Sequence, residues 1–137
     1  MTDMDLLAKK LALIETAVKE LKTQGRPNRI ADDIKEARFI EHTLQIAIQA
    51  AMDVASHIVS DERLGEPRTN REVFELLAKT GWISKNRVKV LKEMVGFRNI
   101  LVHGYDVVDL KVVEDVVKHH LGDLLLFVRS IRIRLKR

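Results

Sequence analysis

Residues 40–58, IEHTLQIAIQAAMDVASHI, place Ile40, Leu44, Ala47, Ala51, Val54 and Ile58 at steps of four, three, four, three and four. This is a sustained 3.5-residue seam, the spacing at which one helix packs along another. Ile46 and Ala50 extend apolar character onto the neighbouring face, so the helix meets partners on two sides, one of which can be a second subunit. The spacing predicts a helix over 32–60, on the order of 43 Å long at 1.5 Å per residue.

The stretches on either side continue the helical period. Upstream, Leu7, Leu11, Ile14, Val18 and Leu21 form one face of a helix over 3–22. Thr2 or Asp3 can cap its start, and Gly25 and Pro27 close it. Downstream, a polar connection over 61–70 leads to a short helix over 71–79. Thr69 or Asn70 is its expected cap, Val73, Leu76 and Leu77 face inward with Phe74 adjacent, and Gly81 ends it. Ser84 is then the expected cap of a fourth helix, with Val88, Leu91, Met94, Val95 and Phe97 as its stripe. After a turn capped by Asp106 or Asp109, one last helix runs to the chain end with Val112, Val113, Val116, Val117, Leu121, Leu124, Leu125, Val128 and Ile131 inward. The expected fold is an all-α up-and-down bundle of four long helices plus a short one, forming a single domain over 1–137.

Composition agrees and narrows the chemistry. Of 137 residues, 46% are hydrophobic but only 4% aromatic, so aliphatic side chains must build the core. The absence of cysteine excludes disulfides, thiolate metal sites and a cysteine nucleophile, and suits a reducing compartment. No apolar run approaches the ~20 residues of a membrane span, and the first residues are acidic, unlike a signal peptide. A soluble cytoplasmic protein with no membrane contact is expected. The formal charge of +4 is gathered at the end, in Arg129, Arg132, Arg134, Lys136 and Arg137, where cations suit a helix C-terminus.

One segment breaks the amphipathic pattern. Gly96 to Tyr105 holds Arg98, Asn99, His103 and Tyr105 threaded through the apolar Ile100, Leu101 and Val102, with Gly104 stopping the helix. Arg98 and His103 are five residues apart, hence about 140° apart around a continuous helix. Two arrangements bring them to one ligand. The helix can end or distort near His103, which Gly104 would permit, or a two-fold dimer can set both copies into a shared cleft. Such a cleft suits metal-free cleavage of a phosphodiester. One imidazole takes the proton of a ribose 2′-hydroxyl, a second protonates the leaving 5′-oxygen, and a guanidinium stabilises the charge on phosphorus. Asn99 can hold the phosphate or fix a tautomer, and Tyr105 can hydrogen-bond phosphate or sugar. The 2′-hydroxyl makes RNA the substrate.

The octad Arg98-Asn99-Ile100-Leu101-Val102-His103-Gly104-Tyr105 matches the Arg-x4-His-x-Tyr signature of the HEPN superfamily and resembles the HepT-type toxins. The resemblance extends to residues 53–58, the connection from Pro67 to Phe74, Gly96-Phe97 and the long last helix. It implies a homodimer with the motif at its interface and a metal-independent endoribonuclease with no cofactor, in which Arg98 and His103 are catalytic and Asn99 supports them. It also implies a nucleotidyltransferase-fold antitoxin (MntA-like) that transfers AMP to Tyr105. A non-catalytic helical dimer serving as that enzyme's substrate or scaffold, or a nucleotide-binding module, is the alternative.

Other polar groups are weighed beside this motif. Asp53 and His57 stand at i and i+4 and read as a self-satisfying pair beside a groove, or as support in the dimer cleft. Nothing completes a metal set around them, nor around His119 and His120. Lys85, Arg87, Lys89 and Lys92 make a basic face on the fourth helix, solvated by default, along which RNA could be guided toward Arg98.

Overall fold

In a computed structural model describing residues 3–104 and 108–136, the 40–58 seam lies at the middle of α2 (Ile34–Asp61). None of the six seam residues is more than 1% exposed. Ile48, Ala50, Ala55 and Val59 are buried beside them, because α2 is covered by α1, α3, α4, α5 and α6 together. Its start is capped by Asp33, whose carboxylate accepts the N–H groups of Lys35 and Glu36 at 3.0 and 3.3 Å.

α1 (Met4–Gln24) lies antiparallel along α2, since Lys10 near its beginning meets Asp53 near the far end of α2. The predicted stripe of α1 is buried throughout. Asp3 caps it by accepting from the Leu6 N–H at 3.1 Å; Thr2 lies outside the described residues.

α3 (Glu72–Lys79) differs from expectation at both its cap and its face. Neither Thr69 nor Asn70 caps it; instead the Glu72 carboxylate accepts the N–H of Arg68 at 2.7 Å. Phe74 takes the inward position, edge-on to Phe127 with ring centroids 5.9 Å apart, while Leu76 is half-buried. α4 (Val88–His103) follows a 3₁₀ turn over Lys85–Arg87, and Ser84, which precedes that turn, makes no capping bond to the backbone.

The stretch predicted as one last helix is two. α5 (Leu110–His119), capped by Asp109 at 2.9 Å from Lys111 N, is separated from α6 (Leu121–Leu135) by His120 at φ −123°, ψ 2°. Asp106, the other proposed cap, lies outside the described residues. The halves serve different neighbours. α5 meets α2 and the 27–29 turn, whereas α6 crosses α1 as well as α2, so a straight rod could not serve both. Asp123 stabilises the break, with its backbone N–H on His120 O and its carboxylate 3.0 Å from His120 Nδ1. Val112, counted into the stripe, is 44% exposed.

The basic end is not simply solvated. Arg132 holds the Glu15 carboxylate with both guanidinium Nη atoms at 2.7 and 2.6 Å, tying α6 to α1, and Arg134 lies over the Trp82 ring at 5.3 Å. Among the described residues there are no strands, and no helix is long and apolar enough to cross a membrane.

Two helices end in the same hydrogen-bond pattern with different residues at the left-handed position. After α3, Trp82 N bonds to Leu77 O at 2.8 Å and Gly81 N to Ala78 O at 3.2 Å, with Gly81 at φ +86°. After α2, Leu64 N bonds to Val59 O at 3.0 Å and Arg63 N to Ser60 O at 3.3 Å, with Arg63 at φ +51°. A Cβ is disfavoured there. Arg63→Gly is therefore expected to raise unfolding free energy in urea by about 0.5–1 kcal/mol, and Gly81→Ala to lower it by a similar amount.

Hydrogen bonding from Arg132 holds the Glu15 carboxyl below the ordinary glutamate range. A depressed carboxyl contributes stability above its unfolded value and loses it as pH falls through the folded one. Both side chains are over 40% exposed, so the pair contributes only about 0.5 kcal/mol. The destabilisation caused by Glu15→Gln should accordingly be measurable near neutrality and shrink toward zero as pH is lowered below about 4.

Candidate active site

Arg98 and His103 both fall on α4, which continues without a break between them. Gly104 follows at φ −122°, ψ 51°, with its N–H on Ile100 O at 2.8 Å. That conformation is open to any residue, so Gly104 does not provide the distortion that would fold His103 back toward Arg98. The expected turn of about 140° stands, and the two side chains leave α4 on different sides.

Arg98 points into a cleft of about 310 Å³ between α1, α2 and α4, where Lys10, Leu13, Gln49 and Asp53 also lie. It is half-buried. Its Nη1 donates to Asn99 Oδ1 at 3.0 Å, so the neighbouring amide fixes the guanidinium. No carboxylate pairs with it among the described residues, and its Nε is buried without a partner. The one acid in the cleft is already engaged. Asp53 receives Lys10 Nζ at 3.2 Å and Gln49 Nε2 at 2.8 Å. Gln49 Oε1 is buried and likewise unpaired. A half-buried cation with its local carboxylate neutralised by another residue is suited to an anion from outside.

The expected pairing of Asp53 with His57 is not formed. His57 Nε2 lies 3.0 Å from Asp61 Oδ2, one turn further on, and 3.3 Å from the Asp3 N–H. The shorter contact, with a protonated Nε2 donating to Asp61, is the chemically consistent one. His57 is therefore paired within α2, and Asp53 is the residue beside Arg98. Gln49 was findable in the sequence as the i−4 neighbour of Asp53; Lys10 is brought in only by the packing of α1.

His103 closes α4 as an exposed residue, its side chain without a hydrogen bond among the described residues. One turn back on its side lies Ile100, 45% exposed. Tyr105 lies outside the described residues. His120 contacts Asp123 at 3.0 Å and Asp115 at 3.5 Å, and no metal-binding group of three His, Cys, Asp or Glu occurs among the described residues.

Comparison with known proteins converges on one family. The profile described as Ribonuclease HepT-like matches residues 13–131. The mRNA nuclease HepT of Shewanella oneidensis is 34% identical over 129 residues, covering 93% of this chain and 97% of that protein. The tRNA nuclease HepT of Aphanizomenon flos-aquae is 36% identical over 91 residues, covering 66% of this chain and 62% of that protein. A solved structure of the tri-AMPylated Shewanella oneidensis HEPN toxin in complex with MNT antitoxin matches with a TM-score of 0.86 at 34% identity, covering 97% of this chain and 99% of the toxin.

The Lys10–Asp53 contact is about one-third exposed on both sides, which bounds its strength. A double-mutant cycle of Lys10→Ala and Asp53→Ala in urea should return a coupling of about 0.5 kcal/mol. A coupling several times larger would show the cleft to be drier than its exposure implies.

Proposed function

This chain belongs to the ribonuclease HepT-like family, and we propose that it is a metal-independent endoribonuclease toxin, one HEPN-like domain over 1–137, restrained by a nucleotidyltransferase antitoxin. The observation that carries the proposal is Arg98: a half-buried guanidinium aligned by Asn99 and without a carboxylate partner among the described residues, while Asp53 beside it is taken by Lys10 and Gln49.

The working unit is a homodimer in the cytoplasm. One α4 directs Arg98 and His103 to different sides, so two copies are needed to surround one phosphate. Leu13 at the cleft and Ile100 on the His103 side of α4, 40% and 45% exposed, are apolar groups that such pairing would cover. Within the shared site, one His103 takes the proton of the ribose 2′-hydroxyl and the 2′-oxygen attacks phosphorus. Arg98 holds the non-bridging oxygens as charge develops. The partner's His103 gives a proton to the leaving 5′-oxygen, and the strand parts into a 2′,3′-cyclic phosphate and a 5′-hydroxyl. Asn99 keeps the guanidinium in register, and Asp53 supports the cleft wall through Lys10 and Gln49. His57, bonded to Asp61, supports only the helix packing behind it.

The antitoxin acts on Tyr105. The similar Shewanella toxin is tri-AMPylated and bound to an MNT antitoxin. By the same chemistry, transfer of AMP from ATP to the Tyr105 phenol would place phosphate and adenine two residues from His103 and exclude RNA.

The test is cleavage of bulk tRNA and mRNA in EDTA by protein whose intact mass shows no AMP. The parent is expected to cut, with His103→Ala and Arg98→Ala each slower by at least about 100-fold. A folded, unmodified parent that leaves both RNA pools intact would refute the nuclease and recast the motif as the antitoxin's docking and AMP-acceptor site.

A further inference from the structure

A groove of about 730 Å³ runs along the side of α4 away from the Arg98 cleft, floored by Val88 and Phe97 and edged by Arg71, Lys85, Lys89 and Lys92. Glu93 is the one carboxylate that lines it, and Lys92 is ion-paired with Glu75. Arg71, Lys85 and Lys89 have no carboxylate partner among the described residues, so three cations face one acid. Residues 89, 93, 96, 100 and 103 recur at four, three, four and three, one face of the helix. The groove thus follows α4 as far as Ile100, and His103 lies one turn beyond on the same face, about 21 Å from Lys89 at 1.5 Å per residue.

Gly96 gives the groove a built feature. A Cβ placed there would come within 2.7 Å of Arg71 Nη2, so the guanidinium lies against the bare backbone of α4. Glycine inside a helix is otherwise unfavourable by about 1 kcal/mol relative to alanine. Alanine here would push aside the exposed end of Arg71 rather than the helix.

We propose that this groove is the path by which a single RNA strand reaches His103, with Arg71 over Gly96 and Lys85 and Lys89 beyond it contacting successive phosphates. The inference rests on the ribonuclease reading and adds to it where the substrate lies. The unpaired cations fit a phosphate backbone, and the apolar floor suits unstacked bases or ribose faces. Base identity is read by none of these groups, so the path would be tolerant of sequence.

The test measures binding of a labelled single-stranded RNA by unmodified His103→Ala protein, which holds RNA without cutting it, over a range of salt. Adding Lys85→Gln with Lys89→Gln should weaken binding about tenfold or more and lower the slope of log K against log salt by about 1.4. Gly96→Ala alters no charge and should leave the helix intact, yet displace Arg71 and weaken binding several-fold. Lys19→Gln with Lys22→Gln, an equal charge change outside the groove, should have little effect. Equal losses in the groove and control pairs, unchanged affinity in the groove variants, or no binding by the His103→Ala protein would each overturn the inference. The same groove substitutions in the His103 protein report separately on cleavage. A parent that binds RNA with this pattern but does not cut it would refute the nuclease and leave the path standing.

Discussion

The burial of α2 from several directions is the constraint to which the other helices answer. A helix apolar on one stripe needs one neighbour; Ile40 to Ile58 is apolar on a seam and on the face beside it, so it must be enclosed. α1 takes one side, α3 and α4 another, and the split α5–α6 segment covers what remains. The polar residues α2 can afford are therefore confined to the lines where neighbouring helices part. Gln49 and Asp53 lie on such a line, opposite Lys10 of α1 and Arg98 of α4. The position of the candidate site follows from the enclosure of α2.

Electrostatics then separate two kinds of cation. Arg132, Arg134 and Lys10 have partners in the fold: a carboxylate, an indole ring and Asp53. Arg98, Arg71, Lys85 and Lys89 have none among the carboxylates of the described residues. The first set attaches helices to one another, and the second lies along the two sides of α4. Net charge alone distinguishes nothing here; the distribution of partners does.

Much of this was legible in the chain. The seams of α1 and α2, the stop at Gly81 and the polar interruption at Arg98 each rest on spacing, which the sequence carries directly. The division at His120 was not legible, because the valine-rich stripe keeps its period across the break, and the bend arises from what each half covers. The pairing of Asp53 was misread for a related reason. Two acids lay one turn from His57, Asp53 before it and Asp61 after it, and Asp53 is engaged by Lys10 on α1. The partners of Arg132 and Arg71 lie on other helices, at separations that no local pattern encodes.

The clasp between Glu15 and Arg132 joins residues 117 positions apart. α1 can lie against α2 as soon as that hairpin exists, but the side of α1 that meets α6 has no cover until the last helix arrives. The cover of α1 is therefore completed by α6, a helix made long after it. For a chain emerging from a ribosome, this means that the side of α1 facing α6 stays uncovered until residues 121–135 have been made.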